Sequence, residues 1–201
     1  MKILCIGRNY AKHAAEMGSA VPSEPMIFMK PKSALNVSGQ MTYPTFTSDL
    51  HYELEVVIEI NKTVSQVSKQ EASQCYDRIG LGIDFTARDI QALCKEKGHP
   101  WEKAKAFDHS APMSELLPMS DYDLSKLQFK LWHNDKLVQS GNTEDLIFDF
   151  DHLVSFASNY FTLEKGDLIY TGTPEGVGPV QKGDVLKGYL EGKKLLEVSI
   201  I

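Results

Sequence analysis

The chain has 201 residues and a formal net charge of −6, from 21 Lys and Arg against 27 Asp and Glu, with 42% hydrophobic and 24% charged residues. At about 150 residues per domain this is one domain, and the ordinary globular composition excludes disordered and fibrous classes. No apolar run approaches the roughly 18 residues of a spanning helix, and the N terminus enters a strand-like pattern without a signal-peptide core. The acidic balance leaves no basic stripe for nucleic acid or a membrane surface, so the expected ligand is a small molecule, and the lack of targeting signals makes the expected setting cytoplasmic. Cys5, Cys75 and Cys94 are an odd number without a C-x-x-C pair, which reads as reduced, buried residues rather than a disulfide frame or a thiolate zinc site.

In chain order, residues 2–6 form a compact apolar run, a short helix is expected at 11–17, and a second apolar strand at 26–30. Residues 52–60 alternate, with Leu54, Val56, Ile58 and Ile60 on one face and Glu53, Glu55, Val57 and Glu59 on the other. A helix follows at 69–77, a strand at 79–85, a helix at 87–97 stopped by Gly98, and a strand at 126–133. The remainder reads as a helix at 150–159 and strands at 167–171, 185–190 and 194–200. Lys165-Gly166-Asp167 and Lys182-Gly183-Asp184 each precede a strand, the punctuation of a β-rich roll or barrel. Strands do not alternate with long helices, so the expected class is a β-rich α+β fold in one domain, residues 1–201, rather than a doubly wound parallel sheet.

The strongest local signal for chemistry is His51-Tyr52-Glu53-Leu54-Glu55. Alternate strand residues share a face, so Glu53 and Glu55 project together with Cα atoms about 6.5 to 7 Å apart. The plain alternative is a solvated strand face. Asp84 ends the next apolar run, at a strand mouth where a ligand is often met, or else merely terminates the strand. Beyond it, Thr86 reads as a helix cap with Asp89 at the third helical position, and Arg88 and Gln91 share one helix face. If Glu53, Glu55 and Asp84 meet, an all-oxygen site favours Mg²⁺ or Mn²⁺ over Zn²⁺. His13 and Glu16, three apart, can serve as a proton-handling pair or as a surface ion pair, and Gly18, Pro22 and Pro25 bound their segment like a mobile lid over residues 11–20. The run from Tyr170 to Pro179 lacks the Lys-Ser/Thr end of a phosphate loop. It reads as a strand-terminating loop that brings backbone N–H groups and Thr173 near a ligand, or as a plain turn. His99, His109, His133 and His152 show no ligand spacing.

Taken together and in order, Gly7-Arg8-Asn9-Tyr10-Ala11-Lys12-His13, Phe28-Met29-Lys30-Pro31, His51-Tyr52-Glu53-Leu54-Glu55, Asp84-Phe85-Thr86-Ala87-Arg88-Asp89, Pro100-Trp101-Glu102-Lys103-Ala104-Lys105 and Thr171-Gly172-Thr173-Pro174 resemble the fumarylacetoacetate hydrolase family. The likeness is to its small single-domain branch and covers essentially the whole chain. It implies a mixed β-roll, usually dimeric, holding Mg²⁺ or Mn²⁺ through Glu53, Glu55 and Asp84. It further implies His13 and Glu16 as a lid dyad, Lys105 as a third catalytic group, and Arg8, Arg88, Gln91 and Thr173 as substrate-binding residues. The activity it implies is hydrolysis of acylpyruvates such as acetylpyruvate or fumarylpyruvate, with water activated by Glu16 and His13 and the oxyanion held by Lys105 and Gln91. Oxaloacetate decarboxylation or tautomerisation, or a dienedioate isomerisation, would use the same groups. A β-roll that binds metal and an acidic ligand without turnover is the reading of another class.

Overall fold

A computed structural model describes residues 1–18 and 20–201. Its centre is a six-stranded sheet in the order Leu117–Pro118, Tyr76–Ile83, Leu54–Ile60, Leu168–Tyr170, Ile3–Gly7 and Met26–Lys30. Only the Ile3–Gly7 and Leu168–Tyr170 pair within it is parallel. A five-stranded sheet, ordered Lys136–Asn142, Gln128–His133, Val185–Leu190, Lys193–Ile200 and Gln40–Met41, packs on one face. At Gly188 the two sheets approach closely: a Cβ there would lie 3.3 Å from Leu81 and 3.4 Å from Leu54 of the central sheet. Leu54, Val56, Ile58 and Ile60 point into that core with Phe129, Leu131, Leu186 and Val198. On the other face Ile3, Cys5, Val57, Leu168 and Tyr170 build a second, smaller core. The chain is thus the mixed, β-rich α+β roll that the sequence implied, and all three cysteines are free and buried.

Several local expectations need correction. The alternating strand is two strands, Leu50–Tyr52 and Leu54–Ile60, because the first leaves the central sheet to pair with Gly178–Pro179 and Thr86–Ala87. Glu53 sits at the break. The face of Glu55 and Val57 is not solvated, since the second core covers it. The helix at 69–77 is only Lys69–Ala72, capped by Ser68 and Glu71, and Tyr76–Ile83 is strand throughout. Ala72, Cys75 and Tyr76 fall at helical spacing, yet Cys75 lies in the turn and Tyr76 in the strand, and all three reach the same core. Strand Lys136–Asn142 was not anticipated; it pairs with Gln128–His133 after a turn in which Asn134 has φ 54. The short helix Ala11–Glu16 forms as expected. Of the expected lid at 11–20, Ser19 lies outside the described residues.

Candidate active site

Register alone brings three acids together. Leu54 pairs with Ile83, and the Asp84 N–H donates to the Glu53 carbonyl at 2.8 Å, so Asp84 leaves its strand beside the strand break at Glu53. One carboxylate oxygen from each of Glu53, Glu55 and Asp84 lies within 4.8 Å of the other two. These side chains are only 5%, 2% and 1% exposed. Three buried negative charges this close repel by several kcal/mol unless cations answer them.

Lysines and an arginine supply the answer. Lys105 Nζ lies 2.8 Å from Glu53 and 2.6 Å from Asp84, Lys30 Nζ 2.8 Å from the other Asp84 oxygen, and Arg88 2.5 Å from Glu53. Burial acts to raise the Glu53 pKa, but Lys105, Arg88 and His13 outweigh it and hold the carboxyl well below the usual range. Glu55 behaves oppositely. Burial and the charge of Asp84 push its carboxyl well up, and the N–H of Gly172, 2.7 Å from Oε2, only partly opposes them. Burial lowers the Lys105 pKa, yet Asp84 and Glu53 prevail and keep the ammonium charged.

The other expected residues line the same cleft: Arg8, His13, Arg88, Gln91, Lys105 and Thr173. His13 is buried, and its Nδ1 faces Glu16 Oε2 at 3.3 Å. A carboxylate only accepts, so Nδ1 donates and Nε2 is left to take a proton. Glu16 is anchored by the N–H of Gly176, 3.1 and 3.2 Å from its two oxygens. The loop from Tyr170 therefore presents backbone N–H groups to Glu55 and Glu16, side chains of the site itself, and brings Thr173 to the cleft wall. Arg88 donates to Gln91 Oε1 at 2.7 Å, leaving the Gln91 amide nitrogen as a donor for a ligand.

Other supporting residues have roles that the sequence does not assign, although Lys30 and Asn9 fall within the motifs quoted above. Lys30 is surrounded by oxygens: besides Asp84 it meets the Ser110 hydroxyl at 3.0 Å and the carbonyls of Ser110, Phe85 and Lys105. Gln139 accepts from the Leu54 N–H and donates to Thr173 Oγ1, each at 2.9 Å. Asn9 is fully buried and ties the Arg8 loop to the Thr171 and Phe148 backbone through three hydrogen bonds. Thr86 does not cap the helix Arg88–Lys97; Ala87 is at the cap, and Asp89 instead accepts from Thr47 and Ser48 and fixes the preceding loop. Gly98, with φ 64, ends the helix as expected.

The donor set fits a hard divalent cation. Three convergent carboxylates supply oxygens only, and the Lys105 ammonium bridging two of them marks a position that favours positive charge. Glu53, Glu55 and Asp84 would hold such an ion, leaving its other positions to water and ligand. The space between the walls is about 40 Å³, which at about 10–15 Å³ per water admits the end of a small ligand.

The sequence matches the family described as fumarylacetoacetate (FAA) hydrolase C-terminal over residues 2–200. The chain belongs to the fumarylacetoacetate hydrolase family. Among family relatives, an oxaloacetate tautomerase of Escherichia coli (strain K12) is 40% identical over 197 residues, 96% of this chain and 90% of that one. A mitochondrial oxaloacetate tautomerase of Bos taurus is 42% identical over 192 residues, 94% and 87% of the two chains. The crystal structure of a fumarylpyruvate hydrolase from Pseudomonas aeruginosa in complex with Mn²⁺ and pyruvate aligns with TM-score 0.95 at 36% identity, covering 100% of this chain and 89% of that one. The protein is thus an enzyme of this family, and among the described residues no helix is long and apolar enough to cross a membrane.

Proposed function

We propose that the protein interconverts the keto and enol forms of a short 2-oxo acid, with oxaloacetate as the reference substrate and Mg²⁺ or Mn²⁺ at Glu53, Glu55 and Asp84. The observation that carries this reading is that His13, with Glu16 behind it at 3.3 Å, shares one small cleft with the Lys105 ammonium and the three carboxylates. The names of the Escherichia coli and Bos taurus relatives support it. When bound, a divalent cation supplies the charge that polarises a 2-keto group. His13, oriented by Glu16, takes the proton from C3 as the C–H electron pair moves into the new C2=C3 bond. Lys105 gives a proton to the C2 oxygen and is reprotonated from the dyad through water, so proton and charge balance. Gln91 and Arg88 orient the C1 carboxylate, and Phe28 and Trp101, packed 6.0 Å apart, keep bulk water from that wall.

Hydrolysis of an acylpyruvate is the second reading. It uses the same dyad to activate water, and the likeness to the fumarylpyruvate hydrolase favours it. The deciding experiment measures the approach to keto–enol equilibrium of oxaloacetate, and the cleavage of acetylpyruvate and fumarylpyruvate, with the metal present. Tautomerisation faster than with metal alone, reduced by about 10²- to 10⁴-fold in Glu16→Gln, supports the first reading. Cleavage of an acylpyruvate without tautomerisation of oxaloacetate would establish the second.

The three free, buried cysteines fit a reducing compartment, and we infer the cytoplasm.

A further inference from the structure

Positive charge in the cleft exceeds what its carboxylates answer. Lys30, Lys105 and Arg88 pair with Glu53 and Asp84. Arg8 and Lys95 line the same cleft, and among the described residues neither has an ion-pair partner. Both are held in place by something other than an acid. Arg8 has φ 59, a left-handed conformation that residues with a side chain rarely adopt, maintained because its neighbour Asn9 is pinned by three buried hydrogen bonds. The Lys95 ammonium lies 5.5 Å from the centre of the Trp101 ring, a cation–π arrangement that steadies a flexible side chain.

Helix geometry sets the order of these groups. Arg88, Gln91 and Lys95 fall at positions i, i+3 and i+7 of the helix Arg88–Lys97, so they form one stripe. At about 1.5 Å per residue, Lys95 stands about 6 Å beyond Gln91 along the axis, on the solvent side of the cleft. A short chain with its 2-oxo end at the carboxylates would carry a terminal group to this position.

We propose that Lys95, with Arg8, binds the terminal carboxylate of the substrate, so that the enzyme selects 2-oxo dicarboxylic acids over their monocarboxylic counterparts. The inference rests on the reading of the cleft as a 2-oxo acid site. Burial, followed by repulsion from Arg88 and Arg8, lowers the Lys95 pKa, and the charge of Glu53 only partly opposes them, which agrees with cations crowded at this end of the cleft. Lys95 takes no part in bond making, and its role is specificity.

Pyruvate and oxaloacetate form the test pair, because they differ only in the terminal carboxylate. Dissociation constants of both for the Mg²⁺-loaded protein can be read from the fluorescence of Trp101, which lines the cleft, independently of turnover. Wild type should bind oxaloacetate more tightly than pyruvate. A hydrogen bond to a charged group is worth about 1.5–3 kcal/mol, so Lys95→Met should weaken oxaloacetate at least about tenfold while changing pyruvate less than about twofold. Lys95→Arg should restore most of the difference. Equal weakening of both ligands in Lys95→Met, or no weakening of oxaloacetate, would overturn the proposal, as would a wild type that binds neither. A lost preference in Lys95→Met together with absent tautomerisation in wild type would leave the subsite standing and remove the proposed reaction.

Discussion

Replacing Lys30 by Met tests whether the site is built on charge pairing inside the core. The Lys30 side chain has no solvent exposure, and its ammonium holds Asp84 at 2.8 Å, the Ser110 hydroxyl at 3.0 Å and the Ser110 and Phe85 carbonyls at 3.2 and 3.3 Å. It also meets the Lys105 carbonyl, so one side chain fastens the strand Met26–Lys30 to the segment bearing Lys105. Methionine fills a similar volume but leaves Asp84 with Lys105 alone, at 2.6 Å, and strips the carbonyls of a donor. Breaking a buried pair by removing one partner costs about 3–5 kcal/mol. Because Lys105 still answers half of Asp84, the expected loss is near the lower bound, about 3 kcal/mol. Against a typical total of about 5–15 kcal/mol this is a large fraction. Urea denaturation in EDTA should show it as a lower midpoint with an unchanged slope. A metal ion at a hundred times its Kd should return about 2.7 kcal/mol if the site still binds it. A loss below about 1 kcal/mol, within the range of one neutral hydrogen bond, would refute the view that this ammonium is required.

Other expectations follow from the same charges. Because burial and Asp84 push the Glu55 carboxyl well up, the metal-free protein holds that proton to higher pH than an ordinary carboxylate does, and below the raised pKa Glu55→Gln should leave thermal stability in EDTA within about 1 kcal/mol. A metal must expel that proton, so wild-type Mn²⁺ affinity should rise with pH by up to about tenfold per unit below the shifted pKa, and a slope unchanged in Glu55→Gln would contradict the assignment. At the far edge of the fold, burial raises the Asp167 pKa but bonds from Lys2 and from the Lys2 and Glu164 amides outweigh it, so the folded value lies below the unfolded one. Its stabilisation is present above the unfolded pKa of about 3.9 and is lost as pH falls through the folded value; Asp167→Asn should therefore cost about 1–3 kcal/mol at pH 7, with the gap to wild type closing in urea titrations under acid conditions.

What the sequence disclosed depended on how local the cause was. Glu53 and Glu55 share a face by strand periodicity, and Asp84 ends an apolar run, so their convergence was legible once the two strands were taken as neighbours. Lys30 was not, because it reads as an ordinary lysine before Pro31 while its ion-pair partner is Asp84, just past the end of the distant strand Tyr76–Ile83. Gln139 was missed with its whole strand: Lys136–Asn142 is an edge strand in which the buried residue is a glutamine while Leu137, two residues before it, is exposed, so the hydrophobic pattern does not mark the inward face. The Thr86 cap failed for a tertiary reason, since Thr86 is held in a strand pair with His51 and the helix begins two residues later. Lys95 lies on the stripe of Arg88 and Gln91, but the solvent-side end of a helix offers many such lysines, and only the cleft distinguishes this one.

The account turns on whether Glu53, Glu55 and Asp84 hold a divalent cation, and titration of the protein with Mn²⁺, following the free ion by electron paramagnetic resonance, measures this directly. Wild type should bind about one Mn²⁺ per chain at a site from which Mg²⁺ displaces it. Glu55→Gln, which keeps the buried shape and satisfies the same neighbours, should lose most of that affinity while remaining folded by circular dichroism. Wild-type Mn²⁺ binding in the folded Glu55→Gln protein, or no stoichiometric binding in wild type, would contradict the account.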